Sequence, residues 1–547
     1  MLGLSLTARG TGFDPLKAQT RASLRAQIDR AEYRGHDFGG IGLEADLDEQ
    51  RLSGRLSDRD SALRLSLQLS GTLAEERQQV RVSGKVADFD LARMGFTPDR
   101  IGGSFLLDAS ASATNAGSYA ARVGLDSIEL RNGYRTDRIR PTSVSFATDT
   151  ASTRAGVSSG DLSLTFSSRS PLDSLIAALT RSADTLARQI RLQSVDMERL
   201  QPVLPDFDLR ASAGRNNILN NLLRSQKASF DALEIRGGNH DSQPVSLRMR
   251  VEGLASGGIV LDTVELGISQ EAKQLAYHLR AANTPGNLDH VAQAALYGHL
   301  VGNTGTVNLW QKDRSGREGF RFGLDVAWSD SLIRASVTPR NPLFGFEPWE
   351  VNPGNYLVYR FDKRMDADLD MTHGAQRFAL RSVPEPGASE GIRLDIAGLN
   401  IGSMLELLPS APPVDGVLGA DVTLRLAPDS LCVRGDVSVS ELSYDKQRFG
   451  NLDFGLLYGQ GRGHRADARL TLDGAEVLAV EGDYRTDRES PLDLTVTVPG
   501  FPLRPVNIFL PADMLRLSGD LAAKVRVGGT PDRLQLNGGV RFAQTEV

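Results

Sequence analysis

The chain has 547 residues, 55 of them glycine, with 40 % hydrophobic residues but only 6 % aromatics, a profile of aliphatic strands punctuated by turns rather than of a helical protein. Its 62 Lys and Arg nearly balance its 68 Asp and Glu, giving a formal net charge of −6 with both signs interspersed, which argues against nucleic acid as a partner. The single cysteine, Cys432, excludes an intramolecular disulfide framework and a cysteine-based zinc site; lying between Leu431 and Val433, it is expected to be a small apolar filler. No stretch approaches the roughly 18–20 apolar residues of a spanning helix, and Met1 to Leu4 run into Arg9 and Gly10 without a signal region.

Two sequence markers recur at about 100-residue steps. Tyr33 is followed by Phe38-Gly39 and the alternating Ile41 and Leu43; Tyr134 follows one step later; Tyr444, about four steps on, is followed at the same offset by Phe449-Gly450, Leu452 and Phe454. The second marker is an apolar-x-x-apolar-x-apolar spacing at Val86/Phe89/Leu91, Leu192/Val195/Met197, Ile396/Leu399/Ile401 and Val498/Phe501/Leu503. A fixed period predicts stacked units, each too small to bury its own apolar face, so residues 1–547 read as one continuous repetitive array.

Alternation places the strands. Phe105 to Ala113, a turn at Asn115 to Ser118, and Tyr119 to Leu125 read as an antiparallel pair. Next comes a helical insertion at 171–226. Pro171 starts a helix to about 191 in which Leu172, Leu175, Ile176, Leu179, Leu186 and Ile190 share one stripe, and this stripe is expected to lie on something apolar. A shorter amphipathic helix is expected at 216–226. Three prolines exclude a central strand from 341–356, which reads as a loop or sheet-edge cover. Further on, Val422, Leu424 and Leu426 alternate with Thr423 and Arg425, and Val433, Val437 and Val439 return after a turn; Val525 and Val527, then Leu534, Leu536, Val540 and Phe542, repeat the pattern. The fold class is all-β, mainly antiparallel, elongated and repetitive.

The chemistry of an enzyme does not appear. The seven histidines have no ligand spacing, and no phosphate loop or nucleophile elbow occurs. Asp366, Asp368 and Asp370 resemble the start of a calcium loop, but Met371 stands at its glycine position and Arg377 at its bidentate glutamate; with Met365, Ala367, Leu369 and Met371 between them, they read as strand alternation. No enzyme class, cofactor or metal is expected.

In this order, Tyr33…Phe38-Gly39, the helices at 171–191 and 216–226 with Leu204-Pro205 between, Phe346-Glu-Pro-Trp349-Glu-Val-Asn-Pro-Gly-Asn355 and Val498-Pro-Gly-Phe-Pro-Leu-Arg-Pro-Val-Asn-Ile-Phe-Leu-Pro511 resemble the TamB family of translocation and assembly module proteins, within the AsmA-like group. The resemblance implies a β-sheet curled into an apolar groove, in a periplasmic bridge anchored in the inner membrane that carries phospholipid toward the outer membrane. It also implies a part in outer-membrane protein assembly with a BamA-like barrel. Relative to that family the chain lacks an N-terminal anchor and the C-terminal domain, and Leu517 to Val547 resembles Leu418 to Glu441, so a fragment ending in mid-repeat is expected, with the barrel and the anchor outside it.

Within that resemblance, the residues expected to line the groove and meet phospholipid acyl chains are Phe105, Leu107, Val123, Leu125, Val422, Leu424, Leu426, Val433, Val437, Val439, Val525, Val527, Leu534, Leu536, Val540 and Phe542. A sheet with one apolar face must close on itself, be covered, or hold apolar ligand, because contiguous exposed apolar patches beyond several hundred Å² are rare on soluble proteins. Two alternatives stand beside a lipid groove: a dry core formed across the curl, and a chaperone or scaffold that offers groove or sheet edges to unfolded outer-membrane proteins.

Overall fold

The computed structural model describes residues 2–33, 36–97, 100–132, 135–240, 243–284, 293–313, 315–338, 342–383, 391–406, 412–427, 430–460, 464–485, 491–503, 518–530 and 533–543. Strands make up 71 % of the chain and helix 8 %, so the fold is all-β; its strands pair antiparallel and do not close into a barrel. Tyr134, the side chain of Tyr33, Asn341 and residues 504–511 of the last matched segment lie outside the described residues. The chain divides into two compact units, Met1–Ile190 with Asp196–Leu279, and Arg191–Val195 with Arg280–Val547.

The first unit is a meander in which successive strands pair by hairpins. The predicted pair is present: Leu107 lies opposite Leu125 and Ala113 opposite Tyr119, joining strands Ile101–Thr114 and Tyr119–Asn132, each of 14 residues. After the five-residue Arg135–Ile139, the strands Thr142–Thr148, Thr153–Ser159, Leu162–Ser168 and Phe207–Ala213 have seven residues each. Length then recovers in Gln243–Ser256 and Ile259–Glu271.

This waist is where the helices sit. Helix α1 (Leu172–Arg191) begins beside Thr148 and Thr153: the Leu172 N–H donates to Thr148 Oγ1 at 3.2 Å, and Thr153 Oγ1 donates to the Ser170 carbonyl at 2.9 Å. A short turn of helix, α2 (Met197–Leu200), follows; Asp196 caps it by accepting from the Arg199 N–H at 3.0 Å. Helix α3 (Ile218–Ser225) sits at the other end of the same strands. Its N-cap Asn217 accepts from the Asn220 N–H, and its Ile218 N–H reaches Ser159 Oγ at 3.3 Å. Fully buried Asn220 donates to the Phe230 carbonyl at 2.7 Å, so polar ties hold α3 while Leu219 and Leu223 pack with Ala213, Phe230 and Val251.

The second unit continues in the same style from Gln293–Val301 to Arg533–Ala543. Its one described helix, α4 (Ile401–Leu405), is a single turn capped by Asn400, which accepts from the Ser403 N–H at 2.8 Å. Its core lies where the proline-rich loop crosses the sheet: Trp349, 2 % exposed, packs with Val337, Leu369, Met371 and Leu399, and its Nε1–H donates to the Phe344 carbonyl at 3.1 Å. The segment is not loop throughout: Leu343–Phe344 pairs with Glu318–Trp328 and with Glu347–Pro348, and Glu350–Val351 pairs with Met365–His373, because two-residue strands need few ladder bonds that proline would remove.

The apolar-x-x-apolar marker has a structural meaning. In three of its four copies the pairing register shifts between the first two residues: Val86 and Phe89 face Phe105 and Gly103, Ile396 and Leu399 face Ala420 and Leu418, and Val498 and Phe501 face Ala523 and Leu521. Two apolar residues three apart can share a face of a strand only if a bulge inserts an extra residue between them. The Leu192/Val195/Met197 copy is different: Val195 makes only an isolated bridge to Gly302, and Met197 opens α2.

Candidate functional site

Antiparallel pairing sets residues directly opposite one another on the same side of the sheet, so the registers trace each face without reference to overall shape. In the second unit, Leu394 opposes Val422, Val422 opposes Gly435, and Gly435 opposes Leu456; in parallel runs Ile392, Leu424, Val433 and Tyr458, and Ile396, Ala420, Val437 and Phe454. Val439 lies between Leu418 and Leu452. Further along, Val496 opposes Val525, and Leu494 opposes Val527, which in turn opposes Leu536; Leu534, Val540 and Phe542 face Gly529, Ala523 and Leu521. Leu426 pairs with Leu431, and its side chain is outside the described residues. In the first unit Phe105, Leu107, Val123 and Leu125 belong to one face with Val86, Ala109 and Val144.

The other side of these strands is polar. Arg393 forks onto Asp421 with hydrogen bonds of 2.8 and 2.5 Å, and Arg526 onto Asp493 at 2.8 and 2.9 Å. In the first unit Arg81 forks onto Asp108 at 2.8 and 2.7 Å. The Asp108 carboxyl is pulled below its ordinary range chiefly by the hydrogen bond from Arg81. Such exposed pairs contribute little stability; their weight here is to mark a solvated face. The single Cys432 lies on this side, opposite Arg425 and Gly459, and is half-buried.

The apolar face is not sealed along its length. Phe105, Leu107, Val422, Leu424, Val433, Val437, Val439, Val525 and Val527 are half-buried, while Val123 is 39 % and Val144 47 % exposed. Leu534, Leu536, Val540 and Phe542, on the last described strand, are also exposed. Other parts of the same face are closed: Val86 and Ile392 are buried, and buried clusters form at α3 and at Trp349, where the chain lays its own side chains across the face.

Two glycines on this face mark close approach of neighbouring strands. A β-carbon on Gly435 would lie 2.6 Å from the Val422 Cα, and one on Gly84 would lie 2.8 Å from the Leu67 Cα. Both glycines stand on the apolar side, so neighbouring strands approach closely there, and only a residue without a side chain fits.

The α1 stripe departs from expectation. Ile176, Leu179, Leu186 and Ile190 do share one side of the helix but are between 49 and 68 % exposed, whereas Leu175, Ser182 and Gln189 are buried. Hydrogen bonds set this rotation: Ser182 Oγ donates to the Val203 carbonyl at 2.7 Å, Gln189 Nε2 donates to the Asp196 carbonyl at 2.7 Å, and Gln189 Oε1 accepts from the Asp196 N–H at 3.1 Å. Neither residue stands out by hydrophobic periodicity.

The aspartate run falls in strand Met365–His373, with Ala367, Leu369 and Met371 buried. Asp370 receives Arg377 and Arg381, and Asp366 accepts from Ser382 Oγ at 2.5 Å. These carboxylates serve cross-strand ties. No helix among the described residues is long and apolar enough to cross a membrane, which leaves strand-built crossings untouched. No protein-family model matches the chain, and no curated protein matches it in sequence.

Proposed function

We propose that this chain is a non-catalytic trough for lipid acyl chains, a segment of a periplasmic bridge that moves phospholipid between inner and outer membranes. The observation that carries the reading is the register-continuous apolar face within each unit, left partly open and backed by an ion-paired polar face. A protein that folds around such a face keeps it wet only at a cost of about 25 cal/mol for each Å² of apolar surface, and a lipid tail recovers about 0.8 kcal/mol per methylene withdrawn from water. The resemblance to the TamB family supplies the compartment, the membranes and the BamA-like barrel; the apolar face supplies the ligand class.

A photoreactive amino acid placed in turn at Leu424, Thr423 and Arg425 tests the reading, because those neighbours alternate between the faces. Phospholipid should be captured at Leu424 and not at the other two. Equal labelling of all three removes the trough. Capture of a stoichiometric extended polypeptide at Leu424 instead of lipid replaces the conduit by the chaperone.

A further inference from the structure

We propose that the polar face of the first unit carries a binding site for a phosphomonoester, built on a ladder of three arginines, Arg210, Arg236 and Arg248. The site lies on the side of the sheet opposite the trough and does not depend on what the trough holds. Register assembles it from three strands, Phe207–Ala213, Ala232–His240 and Gln243–Ser256: Arg210 stands directly opposite Arg236, and Arg236 directly opposite Arg248. Facing residues of an antiparallel pair have backbones about 5 Å apart, and like charges so placed destabilise the pair. The neighbouring row follows the ordinary arrangement, with Glu234, Arg250 and Glu265 alternating in sign and Arg250 donating to Glu265. In the ladder, Arg210 Nη2 donates to Asp208 at 3.2 Å and Arg236 Nε donates to Glu234 at 2.7 Å. The Arg248 guanidinium, which is exposed, has no ion pair or hydrogen bond among the described residues. Three cations in a row are thus left with two carboxylates.

The ladder lines an open hollow of about 610 Å³. Ser163 and Ser212 flank it on the Glu234 side, Ser246 and Ser269 on the Asp208 side, and Thr165 precedes Arg210 in the same row. Gly267 stands opposite Arg248, and a β-carbon there would lie 2.0 Å from the His278 Cε1, so the imidazole fills the ladder's next place. At the Asp208 side Gly238 leaves room for His240, whose Nε2 would be 3.7 Å from a β-carbon on that glycine. The row from Thr165 through the three arginines to His278 therefore offers donors without a carboxylate of its own. Each guanidinium carries five N–H donors in a fixed fork, more than Asp208 and Glu234 use. A phosphomonoester brings about −1.5 to −2 charges at neutral pH and three strong acceptor oxygens, enough to bridge neighbouring guanidinium groups and take hydroxyl donors as well. A single carboxylate brings one charge, and Asp208 and Glu234 already supply that kind of partner to Arg210 and Arg236. A nucleic-acid backbone asks for a longer basic track than three residues.

The test uses the full chain in phosphate-free buffer and measures affinity for glycerol 3-phosphate, for phosphatidylcholine vesicles with and without phosphatidic acid, and for polyglutamate. The parent is compared with Arg248→Gln and with Arg25→Gln, which removes an equal charge from the same polar face outside the hollow, between Thr7 and Glu44. Saturable binding of glycerol 3-phosphate by the parent and by Arg25→Gln, weakened about tenfold or more in Arg248→Gln, is the expected result. Binding of phosphatidic acid vesicles but not of glycerol 3-phosphate, with the same loss in Arg248→Gln, upholds the site and assigns its phosphate to a lipid headgroup. Without ligand, Arg248→Gln should melt no lower than the parent, because it relieves a like-charge contact. A lower melting temperature would overturn the ladder as an arrangement in want of an anion. Failure of both phosphomonoesters to bind, equal weakening by Arg25→Gln, or polyglutamate binding as tightly as glycerol 3-phosphate overturns the proposal.

Discussion

The Ser182 hydroxyl donates to the Val203 carbonyl at 2.7 Å, and this contact turns a hydrophobic stripe outward. A helix with four large aliphatic side chains on one side gains most by rolling onto them. Polar ties that oppose the roll therefore predict a rotational trap. Combined Ser182→Ala and Gln189→Leu substitution should release it, and the stripe should become protected. A cysteine introduced at Leu179 should react with a maleimide several-fold more slowly in the released variant than in the parent background. Equal reactivity would show that the sheet, and not these two residues, sets the helix's orientation.

Trp349 is the anchor of the second unit's covered section. Truncating a buried tryptophan leaves a cavity that costs about 3–5 kcal/mol. Because stacked strands contact chiefly their neighbours, the damage should be local. Trp349→Ala is expected to speed hydrogen exchange in Met365–His373 and Gln376–Val383 and to leave Ser430–Tyr444 near its parent rate. Acceleration spread over the whole unit would mean that the loop holds more than its own section.

Part of this architecture is legible in the amino-acid sequence, and the reason is periodicity. The trade of apolar for polar at Val422, Thr423 and Leu424 is a statement about strand faces, and the Val86/Phe89 spacing is a statement about bulges, although only the registers reveal it as such. The Asp90 and Asn400 that precede Leu91 and Ile401 cap the helical turns after these bulges, a signal that cap chemistry makes visible. Long-range polar geometry stays hidden. Nothing local distinguishes Gln189, whose partner Asp196 lies beyond the end of the helix, and prolines around Trp349 forbid a central strand without saying which face the loop will cover.

Gly435 offers a test of close strand packing. Adding a methyl group that must sit 2.6 Å from the Val422 Cα forces the two strands apart. Overpacking of this kind costs about 1–3 kcal/mol. Gly435→Ala should lower the unfolding midpoint of the second unit, whereas alanine at Gly459, where a β-carbon meets nothing within 4 Å, should not.

Acid should loosen the segment beside α2. The Arg169 guanidinium donates to Asp206 and holds its carboxyl well below the ordinary carboxylate range against the opposing effect of burial, with His240 Nδ1 also 3.0 Å away. A carboxyl whose folded pKa is depressed contributes stability that is fully present above its unfolded value of about 3.9 and is lost as pH falls toward the folded value. Asp206→Asn should therefore cost about 1.5–3 kcal/mol at neutral pH, and its melting temperature should converge on the parent's as pH drops below about 4. A gap that persists unchanged in acid would assign the effect to packing.

A charge in the trough should block lipid more than it unfolds the chain. Leu424 is half-buried between buried Ile392 and half-buried Val433, so an aspartate there keeps some access to water and avoids the full penalty of a buried charge. An acyl chain passing the same point has no such escape, because it must leave apolar contacts for a hydrated carboxylate. Leu424→Asp is thus expected to retain the parent's far-UV circular dichroism while the lipid extracted from purified protein falls several-fold. Arg425→Asp, one residue away on the polar face, should leave lipid content unchanged. If both variants carry as much phospholipid as the parent, the face containing Leu424 is not the path.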